Sequence, residues 1–166
     1  MVLKYLNEDE LFKVAMNIEE QGIEFYQNAF NQASISEAKE IFQFLCGEEK
    51  RHYEVFKKMD NDVQGIKFRP EAIDEEISLY LRSLVDSGIF ENIVSRNQWK
   101  DITDKQALNI GIQVEKTSIL FYDGIRHITE DPTAGVALDK IIAEERSHLI
   151  KLTTLWKELR KQFSRF

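Results

Sequence analysis

The feature that most constrains this chain of 166 residues is that it repeats itself. The segment IEEQGIEFY (18–26) matches VEKTSILFY (114–122), and GEEKRHYEVF (47–56) matches AEERSHLIKL (143–152). Matched positions keep one offset, since 115 − 19 and 148 − 52 both give 96. Glu19 therefore pairs with Glu115, Glu49 with Glu145, His52 with His148 and Tyr26 with Tyr122. A duplication with no net insertion between matched points implies two like units related by a pseudo-twofold axis.

Each unit has the apolar period of a helical hairpin. From Asn7 to about Ala33, the residues Leu11, Ala15, Glu19, Gly22, Ile23, Tyr26 and Phe30 fall three or four apart on one face. Asn7 followed by Glu10 has capping-box spacing. Ser34 with Glu37 repeats it and predicts the start of a second helix to about Met59, with Phe42, Leu45, Cys46, Glu49, His52, Tyr53 and Phe56 inside. NDVQGIKFRP reads as loop, and Pro70 is placed to start a short helix, Glu71 to Val85. The stretch from Asp86 to Lys100 has no clean period and is assigned to a crossover. A third long helix is expected from Asp104 to Thr129, with Leu108, Ile112, Glu115, Ser118, Ile119 and Tyr122 on one face. Asp131 then Pro132 reads as a cap and first-turn proline, opening a fourth helix through about Gln162 that carries Leu138, Ile141, Ile142, Glu145, His148, Leu149, Leu152 and Trp156 inside. The expectation is an all-α, single-domain chain over 1–166. It is a four-helix bundle of hairpins at about 7–60 and 104–162, joined by a long crossover at about 61–103 that holds a short helix.

The acids lie on the wrong face for solvation. Residues three apart on a helix point to one side, so Glu49 with His52 and Glu145 with His148 share their apolar stripes. Glu19 and Glu115 sit within apolar stripes as well. Between Glu19 and Glu20 the repeat decides, because Glu20 corresponds to Lys116, a poor ligand. Glu48 and Glu144 point about 100° away, towards solvent or a helix flank. Four converging carboxylates cost several kcal/mol each unless compensated. No inward Lys or Arg stands near them on these stripes, and two bound divalent cations would balance the charge. Oxygen-rich donors with one imidazole per metal suit iron or manganese better than structural zinc. A buried hydrogen-bond network without metal is the other arrangement such residues could make.

Composition narrows the field. The net charge is −7, against the clustered cations that nucleic-acid binding needs. No apolar run approaches bilayer-spanning length, and the start MVLKYLNEDE lacks a secretory apolar core, so a cytoplasmic location is expected. The lone Cys46 allows neither an internal disulfide nor a Cys-x-x-Cys metal knuckle, and reads as a small buried apolar residue. His127, with Gly124 three before it and Asn31 as its repeat mate, reads as a surface histidine. Phe25, Phe30, Phe42, Phe44 and Phe56 read as packing or an oligomer face, and the basic KELRKQFSRF as a complement to a helix C-terminus.

The ligand pattern resembles the ferritin-like di-iron carboxylate superfamily, in which two helices each give a Glu and two others each give Glu-x-x-His. The seven-residue spacing from Glu to Tyr and the wording EEQGIEFY are most similar to its rubrerythrin-like branch. The resemblance spans nearly the whole chain and is weakest from about Asn61 to Thr103. It implies that Glu19, Glu49, His52, Glu115, Glu145 and His148 bind two irons, for which manganese or zinc could substitute, with Tyr26 and Tyr122 just behind the ligands. Two departures stand out. One cysteine cannot build the rubredoxin-type centre of a full rubrerythrin. The family's extra glutamate, three residues after the third-helix ligand, is Ser118 here, with Gly22 as its repeat mate.

The implied activity is reduction of O2 or H2O2, with electrons from an external electron-transfer protein because no second redox centre is encoded. Glu49 and Glu145 would bridge the metals, and Glu19 and Glu115 would be terminal. Tyr26 and Tyr122 could hydrogen-bond a ligand carboxylate, carry a radical, or be plain core tyrosines. A homodimer is expected, with neither nucleic acid nor membrane as partner. Iron binding or storage through oligomerisation, and a non-catalytic metal-stabilised bundle, are the alternative functions.

Overall fold

A computed structural model describes residues 8–68, 75–86 and 101–163, and within them the chain is all-α. α1 spans Glu8–Gln32, α2 Ser36–Asn61, α3 Glu75–Asp86, α4 Asp104–Ile128 and α5 Pro132–Phe163. The expected cap at Asn7, the start at Pro70 and the stretch 87–100 lie outside the described residues. α1 packs chiefly along α2 and α4 along α5, which makes the two hairpins. The hairpins meet through α1 against α4 and α2 against α5, and α3 lies on α4. Leu81 of α3 seats over Gly124, where a Cβ would come within 2.5 Å of its Cδ2. Among the described residues no helix is long and apolar enough to cross a membrane.

The caps follow local chemistry, with one correction. Thr103 opens α4 with a full capping box to Gln106, a Thr-x-x-Gln spacing legible in the sequence. Asp131 opens α5 as expected, its Oδ1 accepting from the Ala134 amide at 2.8 Å. The capping box expected at Ser34 and Glu37 does not form: α2 begins at Ser36, with Ile35 at the cap position and no side-chain cap bond from it. The carboxylate of Asp104, at the start of α4, takes the amides of Ser34 (3.0 Å) and Ile35 (2.7 Å) instead. A charged acceptor makes the stronger bond and displaces a neutral hydroxyl, so one hairpin's turn is tied to the other's first residue. Beyond the 3-10 turn Val63–Gly65, the Lys67 carbonyl accepts the amides of Glu130 and Asp131, strapping the end of the first hairpin to the turn of the second.

The interior divides into two apolar clusters. One includes Phe12, Ile18, Phe56, Phe121, Tyr122 and Ile142, and the other Phe25, Tyr26, Leu45, Val114, Ile112 and Leu152. Along every long helix the sequence passes from one cluster to the other, and the charged residues fall at the crossing. Glu19 lies between Ile18 and Phe25, Glu49 and His52 between Leu45 and Phe56, Glu115 between Val114 and Phe121, and Glu145 and His148 between Ile142 and Leu152. A charged band is thus plugged by hydrocarbon at both ends. The inner stripe of α5 runs on through Leu155 and Leu159, leaving Leu149 and Trp156 at its margin. Of the aromatic stripe, Phe25, Phe42 and Phe56 are fully buried packing, whereas Phe44 is 45% exposed.

Candidate metal centre

The six residues singled out by the repeat converge. Glu19, Glu49, His52, Glu115, Glu145 and His148 are all buried, none more than 3% exposed. They form two groups whose donor atoms lie within 4.8 Å of one another: Glu19, Glu49, His52 and Glu145, and Glu49, Glu115, Glu145 and His148. Glu49 and Glu145, from α2 and α5, belong to both. Each histidine turns Nδ1 inwards. His52 Nδ1 lies 3.2 Å from Glu49, 3.0 Å from Glu145 and 3.9 Å from Glu19. His148 Nδ1 lies 3.1 Å from Glu145, 3.9 Å from Glu49 and 3.6 Å from Glu115. The imidazoles face each other with centroids 5.8 Å apart.

Small side chains make room. A Cβ on Gly22 would sit 3.3 Å from Glu49 Cγ, so the glycine lets that carboxylate lie flat against α1. Ser118, its repeat mate, turns its hydroxyl back to the Val114 carbonyl at 3.1 Å and offers the centre no carboxylate.

Electrostatics show what the protein alone leaves unbalanced. Burial first, then repulsion from Glu49 and Glu145, holds Glu19 well above the usual carboxylate range. Burial first, then Glu49 and Glu115, does the same to Glu145. Burial opposes charge on His52, yet Glu49 and Glu19 raise it to about 9. Burial is the largest influence on Glu49 and pushes it upwards, but hydrogen bonds from His52 and Glu19 and the attraction of the neighbouring imidazoles together outweigh this and hold it low. Glu49 Oε1, Glu115 Oε2 and Glu145 Oε1 are buried with no hydrogen-bond partner among the described residues. Buried carboxylate oxygens are rarely left so. A network that satisfied itself without metal would leave no such atoms, whereas cations placed between shared carboxylates take up all three. The residues present therefore fit a pair of metals.

The tyrosines cross the dyad. Tyr26 donates to Glu115 Oε1 and Tyr122 to Glu19 Oε1, so each hairpin's phenol holds the other hairpin's terminal carboxylate. Burial first, and then those glutamates, pushes both phenols well above their usual range, so they keep their protons.

The sequence reading missed an outer layer. Glu48 and Glu144, expected to face solvent or a flank, turn instead to the backs of the histidines. Glu144 Oε2 lies 3.1 Å from His52 Nε2, and Glu48 Oε2 3.7 Å from His148 Nε2. Arg51 binds both acids, at 2.9 Å to Glu48 and 2.7 Å to Glu144. The signal was present, because Glu48 and Glu144 are themselves repeat mates. Cys46 is buried beside the Ile23 carbonyl and Gln27 and belongs to neither group, and His127 is exposed.

Fold and site together define a helical-bundle protein with a buried Glu/His cluster suited to two metals. The Rubrerythrin family model matches residues 1–60, the stretch that carries α1 and α2. A candidate ferritin-like diiron-carboxylate protein of Thermotoga maritima has a similar structure, with a TM-score of 0.66 and 26% identity over 93% of this chain and 97% of that one. No curated protein matches in sequence. The family match over the first hairpin and the structural likeness over nearly the whole chain both support the ferritin-like di-iron superfamily, rubrerythrin-like.

Proposed function

We propose that the chain is a di-iron oxidoreductase that reduces H2O2 or O2 with electrons from a separate carrier. In this reading Glu19, Glu49, His52 and Glu145 hold one iron and Glu49, Glu115, Glu145 and His148 the other. The observation that carries it is the sharing of Glu49 and Glu145 by two fully buried Glu/His groups. One imidazole and several carboxylate oxygens per metal favour iron or manganese over a structural zinc. When bound, a ferrous pair supplies two electrons at one place, the number that takes H2O2 and two protons to two waters.

The chain's own groups do the rest. Glu49 and Glu145 fix the spacing of the two positions, and His52 and His148 orient them through Nδ1. Tyr26 and Tyr122 keep their own protons and donate hydrogen bonds to the carboxylates of Glu115 and Glu19, which steadies those groups and places two phenol protons at the edge of the reaction space. The apolar clusters above and below keep bulk water out. Anaerobic loading with ferrous iron followed by H2O2 or O2 tests the reading. It expects oxidation of two irons per chain, and no oxidation with either oxidant ends it.

A further inference from the structure

The repeat pairs nearly every residue of the centre with a chemically equal mate, but not Arg51, whose counterpart is Ser147. This single cation lies where the two outer carboxylates meet. Its Nη2 reaches Glu144 at 2.7 Å and Glu48 at 2.9 Å, and lies 3.3 Å from His52 Nε2. The result is lopsided. Glu144 is held within hydrogen-bond distance of His52 Nε2, at 3.1 Å, whereas Glu48 stays 3.7 Å from His148 Nε2. His148 is packed differently too: the Phe44 ring meets it edge-on with centroids 5.7 Å apart, and the repeat mate of Phe44 is Lys140. Two independent features therefore distinguish the surroundings of the imidazoles, although each turns Nδ1 to a like set of carboxylates.

A carboxylate behind a metal-bound imidazole fixes the ring and its tautomer and raises its basicity, and losing it typically weakens metal binding about 10- to 100-fold. The ion pairs of Arg51 are partly exposed, with 38% of its side chain open to solvent, so their weight falls on positioning rather than on stability. We infer that Arg51 breaks the twofold symmetry of the centre, and that the His52 position, backed by Glu144, holds its metal more tightly than the His148 position. Arg51 and Glu144 are positioning residues and touch neither metal. The inference rests on the di-metal reading, and the test separates the two.

Calorimetric titration with Co2+ reads binding without any turnover. Two shared carboxylates make the second ion weaker even in a symmetric site, so the evidence lies in the variants. Glu144→Gln should weaken the first binding step about 10- to 100-fold, while Glu48→Gln leaves that step within about twofold. In an Arg51→Ser background, which gives the first hairpin the residue of the second, the two substitutions should differ far less than they do with Arg51 present, the remaining difference being that of Phe44. In the unaltered chain with one Co2+ bound, the paramagnetically shifted imidazole resonances should belong to His52. Equal effects of Glu48→Gln and Glu144→Gln with Arg51 present, or shifted resonances from both histidines in like amounts, overturn the inference and leave the di-metal reading standing. Absence of cobalt binding in the unaltered chain overturns both.

Discussion

The Tyr26 hydroxyl of α1 donates to Glu115 of α4, 89 residues further along. Tyr122 returns the same bond to Glu19. Each hairpin thus completes the other's carboxylate, and the centre belongs to the interface between the hairpins rather than to either one.

Removing either hydroxyl should therefore cost stability across that interface. Leaving a buried acceptor without its hydrogen-bond partner costs about 1–3 kcal/mol. Tyr26→Phe and Tyr122→Phe should each lower the unfolding free energy of the metal-free chain by about that amount. Because the bonds are related by the repeat, the two losses should be similar. Urea unfolding checks this, and a loss below about 0.5 kcal/mol for both would show that the phenols are only packing.

Glu49→Ala should abolish stoichiometric metal binding, since that residue belongs to both donor groups. Glu48→Ala should still bind two metals per chain, because Glu48 only faces the back of His148. Elemental analysis after gel filtration of metal-loaded protein distinguishes them, and equal losses would mean that the inner face has been misassigned.

Asp104→Ala should destabilise the chain by about 1–2 kcal/mol, the usual effect of losing a helix cap. It removes the only acceptor among the described side chains for the amides of both Ser34 and Ile35. Ser34→Ala should stay within about 0.5 kcal/mol, since the exposed hydroxyl caps nothing. A shift in the urea midpoint at constant slope is the expected signature. The reverse ranking would restore the local capping box.

Chelation should lower the melting temperature, and added metal should restore it in a concentration-dependent way. Binding to the folded state alone contributes about 2.7 kcal/mol at a hundredfold excess over the dissociation constant. Differential scanning calorimetry with and without chelator measures this. An unchanged melting temperature would mean that the buried carboxylates are balanced by other means.

The sequence carried the site further than it carried the joints. Glu19, Glu49, His52, Glu115, Glu145 and His148 were legible because helical period and a constant offset put charge on an apolar face twice. The cap of α2 was not, because Asp104 is distant in sequence and only tertiary packing brings its carboxylate to Ser34 and Ile35. Glu48 and Glu144 could be placed no further than solvent or a flank for a related reason. An angle of about 100° from the motif glutamate describes a flank, and only the neighbouring helix decides whether a flank meets solvent or the back of a histidine. Arg51 is a sharper case. It breaks the repeat, so the constant offset that marks the other residues of the centre leaves it unmarked.

X-ray absorption at the iron edge of anaerobically loaded protein tests the central claim most directly, that six side chains of four helices hold two adjacent cations. The account predicts a first shell of oxygen and nitrogen only, about one imidazole per iron, and a second iron within about 4 Å. Isolated irons with no metal neighbour, or a sulfur in the first shell, would contradict it.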